Sequence, residues 1–577
     1  TNLTPETTYY TRVRAYSSDA CISAPSGNQE LTTLAYYAIW DGGAVGDRYN
    51  WNNRTNWVGD ELPRTDAIAV FYDAITGTNV NLGNDQTVRG VRFKDNATAN
   101  VNIQSNALTV MARGILVESG STGSHAIRSD LKLGQAQTWE NASAADLTLA
   151  GNISGTVAVE KRGSGRIILA GNESTLSSVM TIAAGPLQIR GTNALGATAF
   201  GTVVANGAAL ELHGGGKGVE FAAEPVTLTG SGITNGGALR FVQNNVDFRG
   251  PVTLDGDASI QAAADSPVLS GNVAIGENTL TVGVLGTELR MSGSLTGTRT
   301  TGDGALVVNT LATNRLVLTG ANTNLTGVLR LNSGEIRIGS ASALGNTGTL
   351  VFGNNTVLKS SSAADYAISR PVLQQGNVTL GEGATRTGSL QFMDNWNLGG
   401  AMRTITVSNP VTKWVEIKGA VENGGLTKAG AGLLLLSGTN TYAGGTTVSG
   451  GILAGNTDAI KGNIVNNGEL EFRQTADGTY SGVMSGAGAL TKNGAGKLTI
   501  TGTSTYSGLS LINEGTVEMR GSAANSTYLV GHAATLTGDG TVGDLIVDGT
   551  VLPGLSPGVL HVDSLFLSPG GTMQVEV

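Results

Sequence analysis

The sequence predicts an all-β protein: a long, single-stranded, right-handed parallel β-helix, preceded by part of a β-sandwich. Three observations lead to this prediction. Glycine supplies 85 of 577 residues, about twice its usual share. Short alternating aliphatic segments are broken every few residues by turn-forming residues, and no apolar stripe at helical spacing is present. Finally, one long segment recurs within the chain.

Composition excludes several classes of protein. The hydrophobic fraction of 40% is too high for a disordered chain, and 12 prolines without a Gly-X-Y period exclude collagen. The formal charge is −9, without a run of basic residues, which argues against nucleic acid or an anionic membrane as a partner. No apolar stretch reaches about 18 residues, so we expect no transmembrane segment.

The beginning of the chain and its cysteine carry two further expectations. The chain opens with TNLTPE, without an initiator methionine or a signal peptide, which is typical of a processed product or a fragment. Cys21 is the single cysteine, so no disulfide and no cysteine-based metal site is expected within the chain.

A short motif, aliphatic-x-aliphatic-x-Gly, recurs along the sequence. Two aliphatic residues at i and i+2 place both side chains on one face of a strand, and the glycine supplies a turn for which we expect a positive φ. The motif begins at Leu147, Ile167, Val226, Val252, Leu289, Leu316, Leu434 and Leu498.

A longer repeat has a period of 64 residues. Residues 426–432 (LTKAGAG) recur at 490–496 (LTKNGAG), and the Thr-Tyr pair at 441 recurs at 505. Three coils of about 21 residues in each repeat favour a β-helix over a propeller, whose blades carry four strands and a signature absent here. About 500 residues would then make about 24 coils, or roughly 110–120 Å.

The stacking predicts which side chains face inward. Leu434 and Leu498 are expected inside, where an aspartate would be strongly destabilising. We expect the tip of Lys428 in solvent, so that its replacement has little effect.

Residues 1–34 differ from the rest of the chain. The spacing of Leu3, Pro5, Thr7 and Tyr9, followed by an alternating strand, resembles the end of a fibronectin type III domain. The resemblance implies the C-terminal portion of such a sandwich, which lacks its first strands.

Residues 35–71 contain Trp40, Trp51 and Trp57 in a setting of Gly, Asn and Asp. Two interpretations are open: a platform on which sugars stack, or an apolar plug that caps the solenoid. The plug is favoured because tryptophan buries a large area with few rotatable bonds.

Residues 428–453 and 492–517 resemble the autotransporter-associated β-strand repeat, and residues 533–577 resemble the segment that closes such repeat regions. This resemblance assigns 72–577 to a β-helix with its clearest repeats at 426–453 and 490–517. It implies a secreted bacterial protein, exposed as a surface passenger or stalk.

Four motifs suggest chemistry, and each has a simpler structural interpretation. The GLSPG segment matches G-x-S-x-G, but Pro557 lacks the N–H that an oxyanion hole requires. The glycine-rich segment at His213 does not match a P-loop. The other two are a faint resemblance to a galacturonase site and a calcium-type turn, at these positions: Asn456-Thr457-Asp458, and Gly538-Asp539-Gly540 with Asp544.

Scattered residues complete the search. Four histidines have no metal-binding spacing, and six glycosylation-type triplets are expected to be coincidental. The histidines are His125, His213, His532 and His561, and the triplets begin at Asn53, Asn96, Asn141, Asn152, Asn172 and Asn324. We therefore expect no catalytic residues, no cofactor and no metal site.

The resulting hypothesis is a non-enzymatic, extracellular bacterial structural or adhesive protein, associated with the cell surface. The alternatives are a β-helix enzyme that degrades polysaccharide and a passive spacer that presents another domain. The expected partners are a cell-surface or polysaccharide ligand and further copies of the chain. Such copies would join head to tail, as a filament or array, through the partial sandwich and the open strand at 572–577.

Overall fold

The structure is a computed structural model that describes residues 8–11, 29–32, 35–72, 79–214, 218–311, 313–383, 388–554 and 558–575. These residues form β-strands, two short 3-10 helices (Arg54–Asn56 and Ile233–Asn235) and turns, with no α-helix among them. The predicted β class and the parallel stacked coils of a β-solenoid are confirmed. The chain divides into two compact units, Thr1–Gln261 and Ala262–Val577.

The strands of the first part of the chain are short, and most are bounded by Gly, Asn, Asp or Ser. They are β1 Thr8–Thr11, β2 Gln29–Thr32, β3 Tyr36–Ile39, β4 Ala67–Phe71, β5 Asn79–Asn81, β6 Gln86–Phe93, β7 Asn102–Gln104, β8 Ala107–Val117, β9 His125–Ile127, β10 Asp130–Leu133, β11 Gln137–Asn141, β12 Leu147–Leu149, β13 Ile153–Gly155, β14 Val159–Arg162, β15 Ile167–Leu169, β16 Thr175–Leu176, β17 Met180–Ile182, β18 Gly185–Ile189, β19 Thr202–Val204, β20 Ala208–Leu212, β21 Glu220–Phe221, β22 Val226–Gly230, β23 Leu239–Phe241, β24 Asp247–Phe248 and β25 Val252–Ala262.

The strands of the remaining part have the same character. They are β26 Val268–Leu269, β27 Val273–Gly276, β28 Leu280–Val284, β29 Glu288–Met291, β30 Leu295–Gly297, β31 Leu306–Thr310, β32 Arg315–Leu318, β33 Leu329–Ser333, β34 Glu335–Ile338, β35 Leu350–Phe352, β36 Thr356–Ser360, β37 Tyr366–Ile368, β38 Val372–Gln374, β39 Val378–Leu380, β40 Leu390–Phe392, β41 Trp396–Val407, β42 Val415–Ile417, β43 Val421–Ala429, β44 Leu433–Leu436, β45 Thr446–Val448, β46 Ile452–Gly455, β47 Ile464–Asn466, β48 Glu469–Arg473, β49 Gly478–Tyr480, β50 Met484–Ser485, β51 Ala489–Asn493, β52 Lys497–Ile500, β53 Ser510–Met519, β54 Ser522–Ala523, β55 Tyr528–Gly538, β56 Thr541–Val542, β57 Leu545–Val547, β58 Thr550–Pro553, β59 Leu565–Leu567 and β60 Thr572–Met573.

Each coil of the first unit pairs in parallel with the coil before and the coil after it. Side chains at matching positions therefore form columns in the interior, where stacking removes them from water. One such buried column runs through Ala69, Val91, Ile115, Trp139, Lys161 and Ile182.

The second unit is built by the same rule. A buried column in its C-terminal half has a step of 16 to 20 residues, close to the coil length that the 64-residue repeat predicts. It runs through Val415, Leu434, Leu453, Leu470, Leu490, Ser510, Tyr528 and Leu545. Leu434 and Leu498 are both fully buried, so the prediction that they face inward is confirmed.

Polar side chains join the coils at their corners. The Asp130 carboxylate accepts a hydrogen bond from the backbone N–H of Asn152, and the Asn152 side chain accepts one from the N–H of Glu173, both at 3.0 Å. These bonds satisfy backbone donors that lie at the corners, outside the strand ladders. The abundance of Asn and Asp thus follows from the need to bond one corner to the next.

The glycines of the aliphatic-x-aliphatic-x-Gly motif correct one expectation. Of the eight, Gly230 has a positive φ, of 83°, and the other seven do not. Their role is instead to allow close approach of successive coils: a Cβ on Gly502 would overlap the carbonyl oxygen of Gly482, and one on Gly171 would crowd that of Gly151. Glycine is needed there because backbone of the preceding coil lies where a side chain would start.

The three tryptophans of residues 35–71 lie inside the first coils. Trp40, Trp51 and Trp57 are each about 1% exposed, and edge-to-face contacts place Trp57 4.9 Å from Trp40 and 4.7 Å from Trp51. Phe71 packs against all three rings. Their faces are therefore unavailable to a sugar, and the rings serve as interior packing.

The N-terminal segment adds a separate antiparallel pair. Strands β1 and β2 pair with Thr8 opposite Thr32. The rest of residues 1–34, including Cys21, lies outside the described residues. The fibronectin type III sandwich and the division of the chain at residues 34 and 71 stay predictions, as does the right-handed sense of the coil.

Candidate functional site

Two of the chemical motifs fall partly on residues that the structure does not describe. These are the GLSPG segment, in which 555–557 are not described, and the glycine-rich segment after His213, in which 215–217 are not described. That neither segment forms a catalytic or phosphate-binding site therefore stays a prediction.

The two remaining motifs form turns. The Asn456 side chain accepts hydrogen bonds from the backbone N–H groups of Asp458 and Ala459, at 3.0 and 2.9 Å, which is an Asx turn. Asp544 accepts a short hydrogen bond from the Ser564 hydroxyl. Within the described ranges, no group of three or more His, Cys, Asp or Glu side chains could hold a metal ion.

A serine and a histidine meet in the first unit without forming a catalytic pair. The Ser121 hydroxyl lies 2.8 Å from Nε2 of His125, whose ring stacks on Phe93 at 4.2 Å. Both residues are about 1% exposed, so a substrate has no access. Burial lowers the pKa of His125 to about 4, which keeps the ring neutral.

Lys428 contradicts the expectation that its tip lies in solvent. The residue is fully buried, and its Nζ donates hydrogen bonds to the carbonyl oxygens of Ala429, Gly430 and Gly450, at 2.9, 2.8 and 2.9 Å. An ammonium has three N–H donors, and here each one has a backbone acceptor. The charge can lie inside because the carbonyls replace its water.

The same arrangement occurs at two further lysines. The Nζ of Lys492, 64 residues after Lys428, contacts the carbonyls of Gly494 and Glu514 at 2.6 and 2.9 Å. The Nζ of Lys161, in the first unit, contacts those of Gly163 and Ala184 at 2.8 and 2.6 Å. In each case one acceptor lies two residues on and another lies one coil on.

Glycines with positive φ turn these carbonyls toward the ammonium. The residue two places after each lysine is a glycine with φ between 77° and 86°, namely Gly163, Gly430 and Gly494. A second glycine, with φ between 63° and 71°, follows each acceptor one coil on, namely Gly185, Gly451 and Gly515. The Lys-x-Gly spacing therefore encodes a carbonyl cage, a site that our sequence reasoning assigned to the surface.

Burial in these cages lowers the pKa of the lysines, to about 8 for Lys428 and about 7 for Lys161, where Glu211 acts in the opposite direction. Arg370 is held similarly: its guanidinium donates to the carbonyls of Gly348, Leu344 and Gly327, and burial lowers its pKa to about 10. A buried cation bound by backbone carbonyls is thus a recurrent element of this fold.

The tyrosine of each repeat also points inward. The Tyr442 hydroxyl lies 2.9 Å from the hydroxyl of Thr446, and the Tyr506 hydroxyl lies 2.7 Å from that of Ser510. Tyr506 also bonds Tyr528 at 2.6 Å. Each repeat therefore carries two buried polar groups, a lysine and a tyrosine, and their bonds reach into adjoining coils.

These two segments coincide with a known sequence family. Residues 426–454 and 490–519 match the passenger-associated-transport-repeat family, and the match includes Lys428, Lys492, Tyr442 and Tyr506. The chain carries the autotransporter-associated repeat. The predicted resemblance of this part of the sequence is therefore confirmed, and the repeat supplies both the aliphatic columns and the carbonyl cages.

Individual relatives of this repeat protein agree with that assignment. The "Adhesin BmaC autotransporter" of Brucella suis is 26% identical over 461 residues, or 76% of this chain and 11% of the relative. Two proteins named "Extracellular serine protease" from Serratia marcescens are 39% and 38% identical, over 20% and 14% of this chain. The chain spans about a tenth of the length of these relatives. No solved structure matches it.

The similarity to autotransporter passengers indicates an extracellular or cell-surface location for this repeat protein. No helix in the described ranges has both the length and the apolar character needed to cross a membrane.

Proposed function

We propose that the chain is a non-enzymatic part of an extracellular bacterial surface protein, with a structural or adhesive role. The observation that carries this proposal is the similarity to an autotransporter adhesin over 76% of the chain. The protease relatives match a fifth of the chain or less, so they offer weaker support for an enzyme.

The interior of the solenoid also supports a structural role. The polar groups that the repeats bury are bonded to the backbone or to one another, and none of those described combines a nucleophile with a base that a substrate could reach. They stabilise coil stacking and leave the outer faces of the sheets as the surfaces available for partners.

Display on a laboratory bacterium tests the proposal. The chain, fused to a membrane anchor, should increase attachment of the cells to mammalian cell layers or to coated surfaces, relative to cells that display the anchor alone. The purified chain should leave casein and pectin intact. Unchanged attachment at equal display would favour a passive spacer, and turnover of either polymer would contradict the non-enzymatic role.

We also propose that copies of the chain associate with one another. Strands β59 and β60 expose Leu565, Leu567 and Met573, which continue the buried columns of Leu545, Val547 and Val551. An apolar strand edge of this kind is suited to pairing with a further coil. Light scattering should detect concentration-dependent association that the double substitution Leu565→Glu/Leu567→Glu abolishes, and a monodisperse monomer would contradict this proposal.

A further inference from the structure

A trough runs across successive coils on the outer face of the first unit. One row of outward positions begins at Tyr37 and passes through Gly90 and Gly114, which have no side chains to fill it. The complete row, in register from coil to coil, is Tyr37, Ile68, Gly90, Gly114, Thr138, Glu160 and Thr181. At about 4.8 Å for each coil, it extends roughly 29 Å.

Two cavities of about 230 and 490 Å³ lie along this row and meet at Thr138. Together they fall in the range of roughly 300–1,000 Å³ that is typical of ligand sites. The larger one is bordered by exposed alanines from three neighbouring coils, Ala112, Ala136 and Ala158, whose short side chains leave the space open.

One end of the trough presents an aromatic ring. Tyr37 is 45% exposed, and the Arg92 guanidinium lies 5.9 Å from the centre of its ring. Arg92 is held by an ion pair with Glu118. The ring is therefore exposed and has a fixed neighbour, which suits stacking against a flat apolar surface of a ligand.

The charges that line the trough balance. Arg92 and Arg113 lie along the smaller cavity with Glu140, and Glu160 lies along the larger one, close to Thr138 and Gln137. A nucleic acid would require a basic excess, and a lipid would require an apolar lining. An added peptide strand would need unpaired backbone, whereas these strands are already paired on both sides.

From these features we infer that the trough binds a neutral polysaccharide chain that lies across the coils. Sugar rings have apolar C–H faces for Tyr37 and hydroxyls for the Glu, Gln, Thr and Arg side chains. The inference rests on the proposed surface role, for which it names a class of ligand. Its test uses the purified chain, so a failure to bind sugar leaves the proposed location and structural role unaffected.

The experiment is calorimetric titration of the chain with two neutral hexasaccharides, of β-1,4-linked glucose and of N-acetylglucosamine, and with an acidic hexasaccharide of galacturonate. At least one neutral probe should bind, and the acidic one should bind more weakly. Tyr37→Ala and Ala136→Gln should each weaken binding about tenfold, by removing the ring and by filling the trough.

Matched controls are Tyr49→Ala and Ala274→Gln, which change an exposed tyrosine and an exposed strand alanine outside the trough. Both should bind as the parent chain does, and unchanged circular dichroism should show that all four variants fold. Ala136 is exposed, so its variant provides the test even if Tyr37→Ala fails to fold. The inference is overturned if no neutral probe binds at millimolar concentration, if the acidic probe binds best, or if the trough variants bind like the controls.

Discussion

Nζ of Lys428 and the carbonyl oxygen of Gly450 lie 2.9 Å apart and join two successive coils of the solenoid. The bond connects residues 22 positions apart in sequence and lies in the buried interior. It makes a charged side chain part of the core, in a column that holds Ile405 on one side and Val448 on the other.

Replacement of Lys428 by methionine should destabilise the fold strongly. The substitution leaves three carbonyl oxygens in the interior without a donor, which we expect to lower the free energy of unfolding by about 2–4 kcal/mol. Urea denaturation should show the loss as a lower midpoint. Lys418→Met, at a partly exposed lysine nearby, should shift the midpoint little, and equal shifts for both variants would contradict a structural role for the cage.

An aspartate at Leu434 should prevent stable packing of its coil. Leu434 is fully buried in a column of side chains, so the carboxylate would have neither water nor a partner, at a cost of more than about 4 kcal/mol. Leu435→Asp is the matched control because Leu435 lies on the other face of the same strand and is partly exposed. Thermal unfolding followed by circular dichroism should separate the two variants, whereas similar melting temperatures would mean that the two faces are wrongly assigned.

Gly502→Ala should be destabilising although the φ of this glycine is not positive. A Cβ there would overlap the carbonyl oxygen of Gly482 in the preceding coil, so the two coils would have to separate. We expect a loss of about 1–3 kcal/mol, as for other overpacked sites. Gly450→Ala, where the nearest atom would be 3.9 Å away, should be tolerated, and the comparison of melting temperatures tests close approach as the reason for glycine.

Glu224 should make the stability of the first unit depend on pH. Its carboxyl group is buried beside a cavity of about 10 Å³, with Thr202 donating to one oxygen at 2.7 Å and no partner for the other among the described residues. Burial raises the pKa of Glu224 to about 7, from 4.5. Between these values the unfolded chain releases the proton first, so the free energy of unfolding should fall as pH rises from about 4.5 to 7.

Glu224→Gln keeps the shape of the neutral carboxyl group and removes this dependence. The variant should match the parent chain near pH 4 and exceed its stability above pH 7, by about 2–3 kcal/mol. Denaturation at a series of pH values measures the difference. The exposed Glu173→Gln variant should show none, and a Glu224→Gln variant that tracks the parent chain at every pH would refute the assignment.

Alternation along the strands was enough to predict the buried aliphatic columns. Leu434 and Leu498 follow from the motif alone, because residues at i and i+2 share a face. The same parity places Lys428 on the inner face with Leu426, but the usual preference of lysine for solvent outweighed it in our prediction. The signal for the cage was the Lys-x-Gly spacing, since those glycines carry the backbone conformation that directs the carbonyls inward.

The trough could not be predicted from the sequence. Its row contains a tyrosine, two glycines, a threonine and a glutamate that are separated by about 22 residues at each step, and it exists only through the register of the coils. A shift of one residue in any coil would move its member of the row to the opposite face.

By itself the sequence determined the β class, the coil length and the inward aliphatic faces, because these depend on periodicities within a few residues and on a repeat that can be counted. Tertiary structure decided which backbone atoms lie one coil away from each side chain. Those atoms receive the ammonium of Lys428, exclude a Cβ at Gly502 and leave the trough open beside Tyr37. Contacts of this kind depend on the register between coils, which is set by packing over the whole stack.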